Sequence, residues 1–112
     1  MGETRKYLSI ISRDLSQKVA LADILFLRQE MRNVIFATTK GQVATRGKLN
    51  EYQEQLSKPF VKAHSYLIVN LARVEKMADE IICFDNGSNL KIGYANYVGI
   101  RKVFNKYLEE LE

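Results

Sequence analysis

The chain has 112 residues, 46% of them hydrophobic, a single cysteine and a formal net charge of +4. This length favours one compact domain, predicted here to span residues 1–112, with a modest core. Cys83 is the only cysteine, so an intrachain disulfide is excluded. No apolar stretch is long enough for a membrane span, and residues 1–6 lack the apolar core of a signal peptide. The sequence therefore predicts a cytoplasmic protein without membrane association.

The first half of the chain is predicted to form strands joined by turns. Apolar alternation and β-branched residues predict strands at residues 6–12, 17–22, 23–28, 33–39 and 42–46. Polar residues 29–32 indicate a hairpin tip, and Lys40-Gly41 is typical of a tight turn. The last three strands are therefore expected to pair in antiparallel order.

Helical spacing replaces the alternation from Gly47 to Leu56, and Pro59 ends that helix. The window Pro59–Leu71 follows as a buried strand, with polar side chains where its pattern breaks. Further strands are predicted at residues 73–78, 80–84 and 89–92, with an Asn-Gly turn at 86–87 and a final helix at 96–111. The apolar stripe of that helix is expected to cover core, and Cys83 is expected to be a small core residue.

Basic residues concentrate in the middle of the chain. Residues 32–73 contain seven lysines and arginines but only two acidic residues, Glu51 and Glu54. Three of the last four residues of the chain are glutamates. A polyanion would be drawn to that middle section. The charge alone is weak evidence, because many basic proteins only keep a solvated positive face.

Few positions indicate catalysis. The sequence holds no Cys/His nucleophile pair, no zinc-ligand cluster and no phosphate-binding glycine loop. An enzyme is therefore the least favoured class, and no cofactor or metal is expected. His64 is the only histidine, and a lone histidine beside an apolar strand often caps a turn with one ring nitrogen.

The order and the separation of three segments together form a characteristic sequence pattern. They are the apolar strand Ala22–Leu27, the run Phe60–His64, similar to a Phe-x-Arg-x-His signature, and Ile68–Leu71 with its Val-Asn pair. Further agreement comes from Gly41, Gly47, Leu49, Asn86-Gly87 and Leu90–Ile92. On these residues nearly the whole chain resembles a LytTR-type DNA-binding domain, the output module of many bacterial response regulators in two-component systems.

The resemblance implies a mainly β fold, an elongated arrangement of small antiparallel sheets with short helices, including a C-terminal helix. It also implies sequence-specific binding of double-stranded DNA by a bacterial transcription regulator, with loops rather than a recognition helix in successive major grooves. Self-association or adjacent half-sites would place two domains on a repeated operator. A receiver domain would belong to the full-length protein.

Nine residues become candidates for DNA contact. They comprise three cations for phosphates, four polar side chains for base edges and two neighbours of these: Lys62, Lys91 and Arg101; Arg32, Asn33, His64 and Asn96; Ser65 and Tyr94. Each also has a structural alternative. Asn96 could equally cap the last helix, Lys91 could guard a strand edge, and Tyr94 could pack against core.

The chain departs from the family pattern at two loops. Tyr94-Ala95 stands where the family often has serine followed by arginine, and alanine cannot hydrogen-bond guanine bidentately as arginine can. After His64, the chain has Ser65-Tyr66 where the family commonly has Arg-Ser. These differences predict lower affinity or a different target sequence.

Two other classes remain open. A protein-interaction module would use the C-terminal helix and exposed strand edges, with the basic charge incidental. An RNA-binding domain would stack single-stranded bases on exposed tyrosines. Salt dependence and competition between duplex DNA and single-stranded RNA would separate the three.

Overall fold

The computed structural model describes residues 5–111. The prediction that the chain lacks a signal peptide concerns residues 1–4 in part, and these residues and Glu112 lie outside the described residues. The elements of the described part are β1 Tyr7–Ile11, β2 Ser16–Ala20, β3 Ile24–Glu30, β4 Asn33–Thr38, β5 Gly41–Arg46, β6 Phe60–His64, β7 Leu67–Asn70, β8 Val74–Ala78, β9 Ile81–Phe84, β10 Asn89–Lys91 and α1 Tyr94–Glu109. The predicted fold class is confirmed: small antiparallel sheets dominate, and a helix lies near the C-terminus.

A five-stranded sheet in the order β5-β4-β3-β7-β6 forms the middle layer. One of its faces packs on the sheet β10-β9-β8 and on α1, through residues such as Val69, Phe84 and Phe104. The other face packs on the hairpin β1-β2 and on the segment after β5, through residues such as Phe36, Leu8 and Leu49. Residues Ile24–Leu27 are all buried because the middle sheet is covered on both faces. The body measures 38 × 37 × 23 Å.

The predicted turns are found at several hairpins. Gly41 has φ +116° at the turn between β4 and β5, and Gly87 has φ +94° in the Asn-Gly turn before β10. Asp79 and Glu80 form the two-residue loop between β8 and β9 with φ of 54° and 64°. Positive φ at both central residues is the geometry that matches the right-handed twist of the flanking strands.

The window Pro59–Leu71 is a hairpin rather than one strand, because β6 and β7 turn back at Ser65-Tyr66. The predicted helix over residues 47–56 is also wrong as one element. Two short 3-10 helices, Leu49–Glu51 and Gln53–Gln55, stand in its place. A 3-10 helix has three residues per turn, so the buried Leu49 and Tyr52 lie on one face.

Tyr52 shows why the tighter helix forms here. Its ring meets Phe36 edge-on, with ring centroids 5.1 Å apart. Burial, and then the charge of Glu51, raise the pKa of the Tyr52 phenol above its ordinary value. The phenol therefore stays neutral in the core, and the stability linked to it is lost only as the pH rises above about 10.

Three expectations about the C-terminal part are corrected. Helix α1 begins at Tyr94 with Gly93 at its N-cap, so Asn96 lies inside the first turn and does not cap the helix. Only part of the apolar stripe covers core, because Val103, Leu108 and Leu111 are 42%, 45% and 61% exposed. Cys83 is half-buried, because strand alternation points it away from the face that buries Ile82 and Phe84.

Candidate nucleic-acid interface

Three loops meet at one end of the middle sheet. The tip Met31-Arg32 joins β3 to β4, the turn Ser65-Tyr66 joins β6 to β7, and residues 47–48 leave β5. They converge because β3 pairs with both β4 and β7, and because Asn33 at the start of β4 lies opposite Arg46 at the end of β5. The sheet order therefore brings together residues that are 30 positions apart in sequence or more.

Gln29 ties the three loops together. Its Nε2 lies 3.0 Å from the carbonyl oxygen of Met31, 3.1 Å from that of Asn33 and 3.0 Å from that of Gly47, so its two N–H groups are shared among the three carbonyls. Its Oε1 accepts a hydrogen bond from the Leu49 amide at 2.7 Å. Its backbone N–H donates to the carbonyl oxygen of Tyr66 at 2.9 Å. One half-buried side chain and its own amide thus fix the relative positions of these loops.

An open groove of about 600 Å³ lies between the loops. Its walls are formed by Gln29, Met31, Arg32, Arg46, Gly47, Lys48, Leu49, Asn50, Gln53, Lys62, Ser65 and Tyr66. Four of these side chains are cationic and none of the lining residues carries a carboxylate, while the four cations are all exposed. We call these four residues, Arg32, Arg46, Lys48 and Lys62, the basic groove cations. Such a surface attracts polyanions and releases their counterions on binding.

Three of the nine predicted contact residues line this groove: Arg32, Lys62 and Ser65. Asn33 is exposed beside it at the start of β4. His64 is half-buried at the end of β6, where its Nδ1 accepts a hydrogen bond from the Tyr66 amide at 3.1 Å. This is the turn-capping role offered above as the alternative for a lone histidine. In the neutral ring the proton then lies on Nε2, which is the nitrogen that can donate to a ligand.

The other four predicted residues lie elsewhere. Lys91 ends β10, while Tyr94, Asn96 and Arg101 are exposed on α1, and none of the four lines the groove. Tyr94 is 68% exposed, so the alternative of packing against core is wrong for it. Tyr97, its neighbour one helical turn away, is the tyrosine that packs in the core. They lie along the β10–α1 junction, with Tyr94 and Arg101 on one flank of the buried stripe of α1 and Asn96 on the other.

Sequence reasoning missed Arg46, Lys48 and the apolar lining residues Met31 and Tyr66. Arg46 could have been found by counting back through the β4–β5 hairpin, which places it opposite Asn33. Lys48 lies two residues further along the chain. The role of Gln29 could not be predicted from the sequence, because a polar residue near a hairpin tip ordinarily faces solvent.

A second cavity, of about 460 Å³, adjoins the groove, and its lining includes Arg13, Arg46 and one carboxylate, that of Glu51. It shares Arg46 and Gly47 with the groove and reaches Ser12 and Arg13 in the turn between β1 and β2. The Thr45 hydroxyl donates to the Ser12 hydroxyl at 2.6 Å, which holds that turn against β5. The exposed Arg13 therefore extends the positive surface beyond the middle sheet.

Gly47→Ala is expected to lower the free energy of unfolding by about 1–3 kcal/mol. Gly47 has φ +147°, and a Cβ there would lie 2.6 Å from Oε1 of Glu51, the oxygen that accepts from the Lys48 amide. Gly99→Ala is the matched control, because nothing lies within 4 Å of a Cβ at that position of α1. The control should gain about 0.5–1 kcal/mol in urea denaturation; equal midpoints for both variants would contradict this account.

Over residues 5–111, no three histidine, cysteine, aspartate or glutamate side chains come together as a metal site would need. Within the same range, no helix has the length and apolar character of a membrane span.

Comparison with known proteins agrees with the fold. The family described as LytTr DNA-binding domain matches residues 15–105. The structure is similar to the LytTr DNA-binding domain of a Bacillus cereus protein, with a TM-score of 0.70 and 16% identity over 88% of this chain and 95% of that chain. No curated protein matches the sequence. Because the family match spans most of the residues, the chain belongs to the LytTR family of DNA-binding domains.

Proposed function

We propose that this chain is the sequence-specific DNA-binding domain of a bacterial transcription regulator of the response-regulator type, acting on double-stranded DNA in the cytoplasm. The observation that carries the proposal is the groove at the end of the middle sheet. Four cations line it, Arg32 from the β3–β4 tip, Arg46 and Lys48 from the end of β5 and the segment after it, and Lys62 from β6, and no acidic side chain does. The family is one of DNA-binding domains, so no catalysis or cofactor is needed.

Two hairpins are suited to enter a major groove. A two-stranded β-ribbon fits the major groove, which is about 12 Å wide. The tips of β3–β4 and β6–β7 are both two-residue turns, Met31-Arg32 and Ser65-Tyr66, and lie on the walls of the basic groove. The longest dimension of the domain, 38 Å, is close to the roughly 34 Å between successive major grooves. Contacts in two grooves therefore suit its size, with the surface of Lys91, Tyr94, Asn96 and Arg101 as the second.

The residues divide by the contact that each side chain can make. Lys62, Lys91 and Arg101 neutralise phosphates, while Arg32, Asn33 and His64 reach base edges, His64 by donating from Nε2. Ser65 supports the contact at the β6–β7 turn. Two domains on neighbouring half-sites would give a repeated operator, and a receiver domain in the full-length protein would supply the signal.

One observation favours a protein-interaction module as the second candidate. Val103 on α1 and Leu111, just after the end of α1, are exposed and line a cavity of about 360 Å³ with Val61 and Leu71. A partner bound there would be insensitive to salt, and duplex DNA would not compete with it. This cavity and the basic groove share no lining residue, so the two candidates exclude each other only if duplex binding is absent.

Selection from a random duplex pool by the purified domain at near-physiological salt tests the proposal. We expect an enriched motif, for which Arg32→Ala and His64→Ala lose about 1–3 kcal/mol of discrimination. Lys62→Ala should weaken all duplexes and reduce the salt slope by about one. The control is Lys40→Ala, an exposed lysine at the opposite end of the β4–β5 hairpin. Failure to enrich any motif, with equal losses for all four variants, would refute sequence-specific binding.

A further inference from the structure

Two apolar side chains lie on the walls of the basic groove. Met31 is 92% exposed, the highest value among the large hydrophobic residues of the described chain, and Tyr66 is 62% exposed. Both line the same cavity as the basic groove cations. Folding does not explain this pair, because neither side chain belongs to a core cluster.

The backbone at Met31 makes the residue more unusual. Its φ is 56°, in the left-handed region that L side chains rarely adopt and that glycine adopts freely. The other two such residues in the described part, Asp79 and Glu80, are polar and form a hairpin turn. A methionine at the tip is thus unfavourable both for the backbone conformation and for solvation, and such positions concentrate at functional sites.

The backbones of Met31 and Tyr66 are held by the same residue. Gln29 donates from its Nε2 to the Met31 carbonyl at 3.0 Å and from its backbone amide to the Tyr66 carbonyl at 2.9 Å. The Tyr66 amide in turn donates to His64, whose ring lies edge-on to the tyrosine ring with centroids 6.3 Å apart. The apolar pair is therefore positioned between side chains that the proposed function assigns to DNA.

We propose that Met31, supported by Tyr66, contacts the C5-methyl group of thymine in the major groove, so that the domain reads thymine at one or two operator positions. This inference rests on the proposed duplex binding. The thymine methyl is the one apolar group that base edges present in the major groove. The unbranched thioether of methionine adapts to such a surface, while the cations hold the flanking phosphates. Uracil lacks this methyl, so the same contact favours DNA over RNA.

Replacing single thymines of the selected duplex by deoxyuridine tests the contact, because only the methyl group is removed and base pairing is kept. Wild type should lose about three- to tenfold in affinity at one or two positions and nothing elsewhere. Met31→Gly should bind the thymine and deoxyuridine duplexes equally well. Glycine adopts φ 56° without strain, so this variant should be no less stable to urea than wild type. Tyr66→Ala should reduce the thymine preference in part.

Two controls make the result specific. Leu111→Ala removes an apolar side chain that is 61% exposed, just after the end of α1 and outside the groove, and should keep the full thymine preference. Arg32→Ala should weaken both duplexes by the same factor. Equal wild-type affinity for every deoxyuridine duplex, with Arg32→Ala still weakening binding, would overturn the methyl contact and leave the proposed function intact. A wild type that binds no duplex would overturn both.

Discussion

Asn70→Ala is expected to lower the free energy of unfolding by about 2–4 kcal/mol, because it leaves two backbone groups without partners. Asn70 is 2% exposed at the end of β7. Its Nδ2 donates to the Ile24 carbonyl at 2.8 Å, and its Oδ1 accepts from the Ala72 amide at 3.1 Å. The side chain therefore links the start of β3 to the 3-10 turn that leads into β8. Urea denaturation followed by circular dichroism measures the loss.

Asn105→Ala is the control for that experiment, because Asn105 is exposed on α1 and alanine favours helix. It should change the stability by no more than about 0.5 kcal/mol. Asn70→Asp keeps an acceptor for the Ala72 amide but places a carboxylate next to the Ile24 carbonyl. This variant should therefore be no more stable to urea than Asn70→Ala. An Asn70→Ala protein as stable as wild type would mean that water replaces both bonds.

Gln29→Ala is expected to reduce the affinity for the selected operator by roughly tenfold to a hundredfold, since the loops must then be ordered on binding. It also leaves the Leu49 amide without its acceptor, which costs about 1–3 kcal/mol of stability. The ratio of operator to random-duplex affinity should fall, because the basic groove cations remain while their geometry is lost. Titrations of both duplexes at a temperature where the variant is folded measure that ratio.

Gln42→Ala is the matched control, because Gln42 is exposed on β5 and does not line the groove. It should leave both affinities unchanged. If Gln29→Ala lost affinity for operator and random duplexes equally, the residue would support the fold but not the arrangement of the readers.

The strands could be predicted because their physical signal is local. Residues 33–39 are β-branched and aromatic, and the strand forms at Asn33–Thr38 with both faces covered. The turn at Asn86-Gly87 was predictable for the same reason, since glycine alone accepts its backbone angle freely. The 3-10 segment after β5 was not, because Leu49, Tyr52 and Leu56 are three and then four residues apart, which is the spacing of an α-helix.

The site was predictable only in part. Arg32, Lys62 and Ser65 were identified through the family resemblance, and the structure brings them into one groove. The hydrogen bonds by which Gln29 links the loops were not predictable, because they depend on strand pairing across β3, β4 and β7 rather than on residues adjacent in sequence. The start of α1 at Tyr94 was missed because no side chain caps it; Gly93 holds the cap position.

The strand β1 has a practical consequence for work on this family. The family match begins at residue 15, after β1 has ended, yet Leu8 and Ile10 of β1 are completely buried against Val19 and the middle sheet. The boundary of sequence similarity is therefore not the boundary of the folding unit. A fragment cut at the match would leave β2 unpaired and expose an apolar face, which promotes aggregation. Expression and crystallisation of this domain should thus retain the residues that precede the recognisable family sequence.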